Sequence, residues 1–119
     1  MHPIKEKIML SQQDAILFVK QEDIVYCQSD NCYTRIVLLD KKKILIVKSL
    51  TKFHKELPDQ FVRVNQSFVI NKIFVNRIDK KKKTIWLEGD LEIPFTITLR
   101  DLLHLMKEDM DTDEYAAIL

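Results

Sequence analysis

The stretch Phe61-Val62-Arg63-Val64-Asn65-Gln66-Ser67-Phe68-Val69-Ile70-Asn71 holds the densest chemistry in the chain. Two amides and a hydroxyl stand side by side at Asn65, Gln66 and Ser67, with the Arg63 guanidinium just before them. Such groups can bond phosphate oxygens or base edges, and an amide can hold adenine through two hydrogen bonds. The apolar residues on both sides read as short extended segments that fix the corner, with Phe68, Val69 and Ile70 as core. The same residues equally spell an ordinary turn between buried segments. In that reading Ser67 caps the turn and Arg63 pairs with an acid across a sheet.

The charge around this corner is segregated. Residues 1–30 carry a net −2, residues 31–83 a net +10 and residues 84–119 a net −7, so the whole chain is only +1. A basic middle beside an acidic end fits a surface for a polyanion. Lysines at exposed turns give the same sums for solubility alone, and Lys41–Lys43 and Lys80–Lys83 read as hairpin tips of that kind.

The elements that must position the corner are mostly strands. Strand-like runs fall at 4–10, 15–19, 24–28, 32–39, 44–47, 61–64, 74–78, 84–88 and 91–95. Residues 68–71 fit either a strand or a helical turn. Ser49 begins a short helix carrying Leu50, Phe53 and Leu57, which Pro58 stops. Thr98 caps a second helix with Leu99, Leu102, Leu103 and Met106 on one face. With Gly89 the only glycine, turns must be built from Asn, Asp and Lys, and no glycine-rich phosphate loop exists.

At 119 residues and 46% hydrophobic content the chain is one globular domain that buries about two-thirds of its extended surface. Residues 1–108 form that domain and 109–119 an acidic tail. No apolar run approaches the ~20 residues that span a bilayer, and the start lacks the apolar core of a signal peptide. Cys27 and Cys32 fit no metal spacing and read as reduced thiols of a cytoplasmic protein. Trp86 reads as packing, and His54 and His104 as surface or boundary residues. No nucleophile elbow, HExxH or CxxC pattern is present, so no enzyme and no cofactor or metal is expected.

Four segments in order resemble the LytTR DNA-binding domain of bacterial response regulators. They are Asp23-Ile24-Val25-Tyr26, Asp30-Asn31-Cys32-Tyr33-Thr34, Ser49-Leu50 leading through Phe61-Val62-Arg63-Val64 into Ser67-Phe68-Val69-Ile70-Asn71, and Ile93-Pro94-Phe95-Thr96. Together they cover roughly residues 4–105. The resemblance implies a mainly β fold of short antiparallel strands in small packed sheets with one or two short helices. It implies that loops, not a recognition helix, enter successive major grooves of double-stranded DNA. The contacts it assigns fall on Tyr33, on Asn65 and Gln66 with Arg63 and Ser67 beside them, and on Thr96 and Thr98. Here the chain departs from the family, which often has His then Arg or Lys at 65 and 66 and basic residues at 97 and 98. This chain has Asn65, Gln66, Ile97 and Thr98, all neutral.

The function that follows is sequence-specific DNA binding in transcription regulation, as a response-regulator output domain or a stand-alone regulator. The expected partners are double-stranded DNA, a second copy on repeated half-sites, and a receiver domain or sensor kinase outside this chain, with no membrane. The neutral residues keep a second reading open, a protein-interaction module on the same β scaffold.

Overall fold

The computed structural model describes residues 7–107. Its first two strands, β1 (Lys7–Ser11) and β2 (Ile16–Lys20), pair as a ribbon. A five-stranded antiparallel sheet follows, made of β3 (Ile24–Asp30), β4 (Tyr33–Leu38), β5 (Lys43–Ile46), β6 (Phe61–Arg63) and β7 (Phe68–Asn71) in the order β5-β4-β3-β7-β6. A third sheet runs β10-β9-β8, from β8 (Val75–Asp79), β9 (Thr84–Leu87) and β10 (Leu91–Pro94). Among the described residues there are two α-helices, α1 (Leu50–Lys55) and α2 (Leu99–Met106), and two single 3-10 turns at Gln21–Asp23 and Lys72–Phe74. This is the mainly β architecture expected from the sequence. The ambiguous segment 68–71 is a strand. The strand expected over 4–10 runs Lys7–Ser11, and residues 4–6 and the tail 109–119 lie outside the described residues.

The five-stranded sheet is the middle of three layers. Along β7, Val69 enters the core under α1 and the ribbon, with Leu10, Ile36, Ile44, Leu50 and Phe53. Its neighbour Ile70 enters the core under the third sheet and α2, with Ile85, Leu87, Ile93, Phe95 and Leu102. Phe61 and Val62 of β6 divide the same way. Burial on both faces explains why Phe68-Val69-Ile70 is a continuous apolar run and not an alternating one. Val69 and Ile70 are fully buried, which stabilises the fold by about 1.5–3 kcal/mol each. Phe68, expected in the core, is half-buried at the strand's start, with its ring 5.7 Å from that of Tyr26.

A bulge in β3 sets two consecutive side chains to one side. Ile24 faces Leu38 and Tyr26 faces Val37, so one residue is extra on β3. Val25 and Tyr26 therefore both join the second core, while Ile24 and Cys27 join the first.

Asn71 is fully buried and all four of its side-chain hydrogen-bonding positions are used. Its Nδ2 donates to the carbonyls of Gln21 at 3.2 Å and Ile24 at 2.9 Å. Its Oδ1 accepts from Ile73 N and from Gln60 Nε2, both at 3.3 Å. One side chain thus joins the end of β7 and the start of β6 to the entry of β3.

Both expected helix caps are present. Ser49 Oγ accepts from Lys52 N at 3.2 Å, and Thr98 Oγ1 accepts from Asp101 N at 3.0 Å. The left-handed turn positions fall on Asn31, Lys41, Lys83 and Asp90, with φ of 55 to 72°, beside Gly89. That is how a chain with a single glycine closes its hairpins. Among the described residues, no helix is long and apolar enough to cross a membrane.

Candidate nucleic-acid interface

Because neighbouring strands are antiparallel, one end of the five-stranded sheet gathers the ends of β3, β5 and β6 and the starts of β4 and β7. Tyr33 begins β4 there, in register with Asp30. The corner 64–67 joins β6 to β7 at the same end, and Ser29 N donates across to Ser67 O at 2.9 Å. The end of β10 arrives from the third sheet. Thr96 N donates to Val64 O at 3.0 Å, and Asn65 Nδ2 donates to Pro94 O at 2.6 Å. The hairpin, the corner and the loop 96–98 are thus brought together at one end of the molecule. From β4 to β6 is three strand spacings, about 14 Å, close to the ~12 Å width of a major groove.

The side chains divide into those that build this end and those that it exposes. Asn65 is half-buried and builds it. Its Oδ1 accepts from Ser67 N at 2.7 Å and Phe68 N at 2.9 Å, which leaves only one amide hydrogen uncommitted. A corner without glycine closes on an Asx turn, and this carboxamide supplies it. Arg63 builds it too. Its Nε donates to Asn65 O at 2.9 Å, one terminal nitrogen to Thr51 Oγ1 at 3.1 Å and the other to Gln66 O. The alternative of an acid partner for Arg63 is not what the structure shows: the guanidinium clips carbonyls of the tight turn.

The exposed set is smaller. Gln66 and Ser67 are exposed, and among the described residues no group takes the Gln66 amide. Thr96 is exposed, and Tyr33 is 38% exposed. Thr98 is exposed, but its hydroxyl is engaged in capping α2, and Ile97 turns inward against the second core. Nearby Arg35 is held by Asp30 at 2.6 Å, and Lys48 by Glu56 at 2.6 Å.

Two basic elements outside the expected contact set also lie at this end. The tip Lys80–Lys83 reads in sequence only as a solvated hairpin turn. Thr84 pairs with Pro94, and Phe95 N donates to Lys83 O at 3.0 Å, so the tip lies beside the loop 96–98. All four lysines are exposed. The tip is shaped by Asp79, whose Oδ1 accepts from Lys82 N at 2.9 Å and Lys81 N at 3.0 Å. The Lys82 N–H above all, then the Lys81 N–H and the charges of Lys82 and Arg77, hold the Asp79 carboxyl below its usual range. The turn before β5 that carries Lys41 and Lys42 lies at the opposite end of its sheet, because Lys43 pairs with Val37 late in β4. The second basic element is Arg100, exposed on the first turn of α2. Its position off the Leu99, Leu102, Leu103 and Met106 face was the available signal.

Of the other residues read from sequence, Trp86 is half-buried, with the Arg77 guanidinium 4.9 Å over its ring. His54 Nε2 lies 2.9 Å from Phe61 O. Cys27 is buried and Cys32 exposed, both as free thiols, and burial pushes the Cys27 thiol up to about 12.

The chain has recognisable relatives. The sensory transduction protein LytT of Bacillus subtilis is 27% identical over 112 residues, covering 87% of this chain and 46% of LytT. The accessory gene regulator protein A of Staphylococcus aureus is 27% identical over 85 residues, covering 71% of this chain and 35% of the regulator. The chain therefore spans less than half the length of these relatives. Among solved structures, the LytTr DNA-binding domain of a methyl-accepting/DNA response regulator from Bacillus cereus superposes with a TM-score of 0.70 at 19% identity, over 86% of this chain and 97% of that one. The family model of the LytTr DNA-binding domain matches residues 14–108. With four-fifths of its length inside that match and a fold that superposes on a solved member's, the chain belongs to the LytTR family of DNA-binding domains.

Proposed function

We propose that this domain binds specific double-stranded DNA sequences in bacterial transcription regulation, as the output module of a response regulator in the cytoplasm. The observation that carries the reading is the convergence of hairpin, corner and loop at one end, tied by Ser29–Ser67, Val64–Thr96 and Asn65–Pro94 hydrogen bonds. Gln66, Tyr33, Ser67 and Thr96 offer side chains to base edges and phosphates, and Arg63 and Asn65 hold the frame. Thr98 contributes by starting α2, which presents Arg100. The names of the relatives, a sensory transduction protein and a gene regulator, support this reading. Their greater length leaves room for a signal-receiving module, and two copies on repeated half-sites would double the modest interface of one domain.

Binding should be salt-sensitive. If four to six phosphates are contacted, log K against log salt should fall with a slope of about −4 to −5. Duplexes selected from a random pool and titrated at several salt concentrations test this. A flat response, or no binding at low salt, would favour the protein-interaction reading, which the inward turn of Ile97 keeps in view.

A further inference from the structure

We propose that the Lys80–Lys83 hairpin tip is a second DNA-contacting element, which grips backbone phosphates beside the site read by the corner. The inference rests on the DNA-binding function proposed above and adds to it the means by which a corner poor in charge gains affinity.

The charge at this end has to come from somewhere. Positions 65, 66, 97 and 98 are neutral. Arg63 is clipped to the corner's own carbonyls, Arg35 to Asp30, and Lys48 to Glu56. Phosphate contacts supply a large share of the affinity of such interfaces. Arg35 and Lys48 are neutralised by their acids, and Arg63 keeps its charge but has three of its donors committed within the protein. The four exposed lysines of the tip are the densest cationic group at this end, and Arg100 adds one more charge.

Position favours the same conclusion. The β8–β9 tip is fixed to the interface by the Phe95 N to Lys83 O bond, one residue before Thr96 N reaches Val64 O in the corner. Stacked sheets lie about 10 Å apart, so the tip stands roughly one layer from the corner. That offset places it over the phosphates that flank a groove entered by Gln66. The Asp79 bonds to Lys81 N and Lys82 N hold the turn closed, so the four ammonium groups fan outward from a rigid base. Lysine reaches phosphate as a flexible point charge and reads no base, so the tip should add affinity without adding sequence preference.

The chain contains its own control. Lys41, Lys42 and Lys43, with Lys42 3.8 Å from Asp40, form a three-lysine turn at the opposite end of the middle sheet. The test compares K80Q/K81Q/K82Q/K83Q with K41Q/K42Q/K43Q on one selected duplex, after thermal melts show both folded. For the first variant, affinity near 150 mM salt should fall about 10- to 100-fold and the salt slope should flatten by about two to three units. Discrimination between the selected duplex and a scrambled one should be unchanged. The control should move affinity less than about threefold, with its slope intact. Equal losses in both variants would reduce the effect to overall charge and overturn the proposal, as would a tip variant that binds like wild type. If wild type itself binds no duplex, the DNA-binding reading falls together with this one. If wild type binds and the tip variant is unaltered, only the tip assignment falls.

Discussion

Asn65 and Gln66 are adjacent amides with opposite fates, and that contrast gives the sharpest test at the residue scale. Asn65 fastens two corner N–H groups and the end of β10. Asn65→Ala should lower stability by about 1–3 kcal/mol, because buried or half-buried donors lose their acceptor. Gln66→Ala should leave stability within about 0.5 kcal/mol and weaken specific DNA binding by about 1–3 kcal/mol. Denaturant melts and DNA titrations of the two variants separate these outcomes, and a Gln66 variant that melts early while binding normally would reverse the assignment. The cysteines offer a second pair. At pH 8 a thiol reagent should label Cys32 and leave Cys27 untouched until the chain is unfolded. The Cys27 thiol is pushed up to about 12 from 9.0 by burial. Its contribution to stability is therefore complete below about pH 9 and is lost as pH rises toward 12, by up to about 1.4 kcal/mol per pH unit. Wild type should lose stability between pH 9 and 11 more steeply than Cys27→Ala, and parallel losses would show that the thiol ionises in place.

At the scale of elements, α2 depends on Thr98 more than DNA does. Its hydroxyl satisfies Asp101 N, so Thr98→Ala should cost about 1 kcal/mol in thermal or chemical melts. A basic substitution there, which would restore the family's usual donor, removes the same cap. Thr98→Arg should therefore gain a phosphate contact, with a salt slope steeper by about one unit, while losing about 1 kcal/mol of stability. A Thr98→Arg protein with an unmoved slope would set the start of α2 away from DNA. Asn71 is the corresponding test for the sheet. Asn71→Ala should destabilise by about 2–4 kcal/mol, since the Ile24 carbonyl loses its partner inside the core and the Gln21 carbonyl and Ile73 N–H lose theirs at its edge. A loss below 1 kcal/mol would mean that water replaces the amide.

For the whole molecule, the arrangement predicts a polarised footprint. On titration with a selected duplex, amide resonances of residues 29–34, 63–68, 80–83 and 95–100 should shift. Those of residues 39–43, 56–60 and 72–74 should hold still, because they lie at the opposite end of the sheets. Shifts centred on Lys41 to Lys43 would invert the polarity of the binding surface. In the ribbon β1–β2, whose outer side exposes Met9, Ile16 and Phe18 by 57–65%, Lys7 to Met9 should also be silent, whereas the turn at residues 12–15 stands beside Tyr33 and should shift with it.

The sequence by itself determined the class of fold, the helix caps at Ser49 and Thr98, the turn residues and the family. Each of these is a local signal, set by side-chain chemistry and spacing within a few residues. It also marked the segments that converge at one end. Only the tertiary structure decided which partner each polar group there has within the protein. Asn65 reads as a free amide until Pro94, twenty-nine residues away, is found to take one of its two hydrogens. Arg63 reads as a surface cation until the corner's own carbonyls claim it. Lys41–Lys43 and Lys80–Lys83 are alike as sequence, and pairing register alone sends them to opposite ends. The physical reason is common to all three. A hydrogen-bonding group or a charge acts on whatever lies within a few ångströms, and strand pairing sets those neighbours across the chain without leaving a local trace.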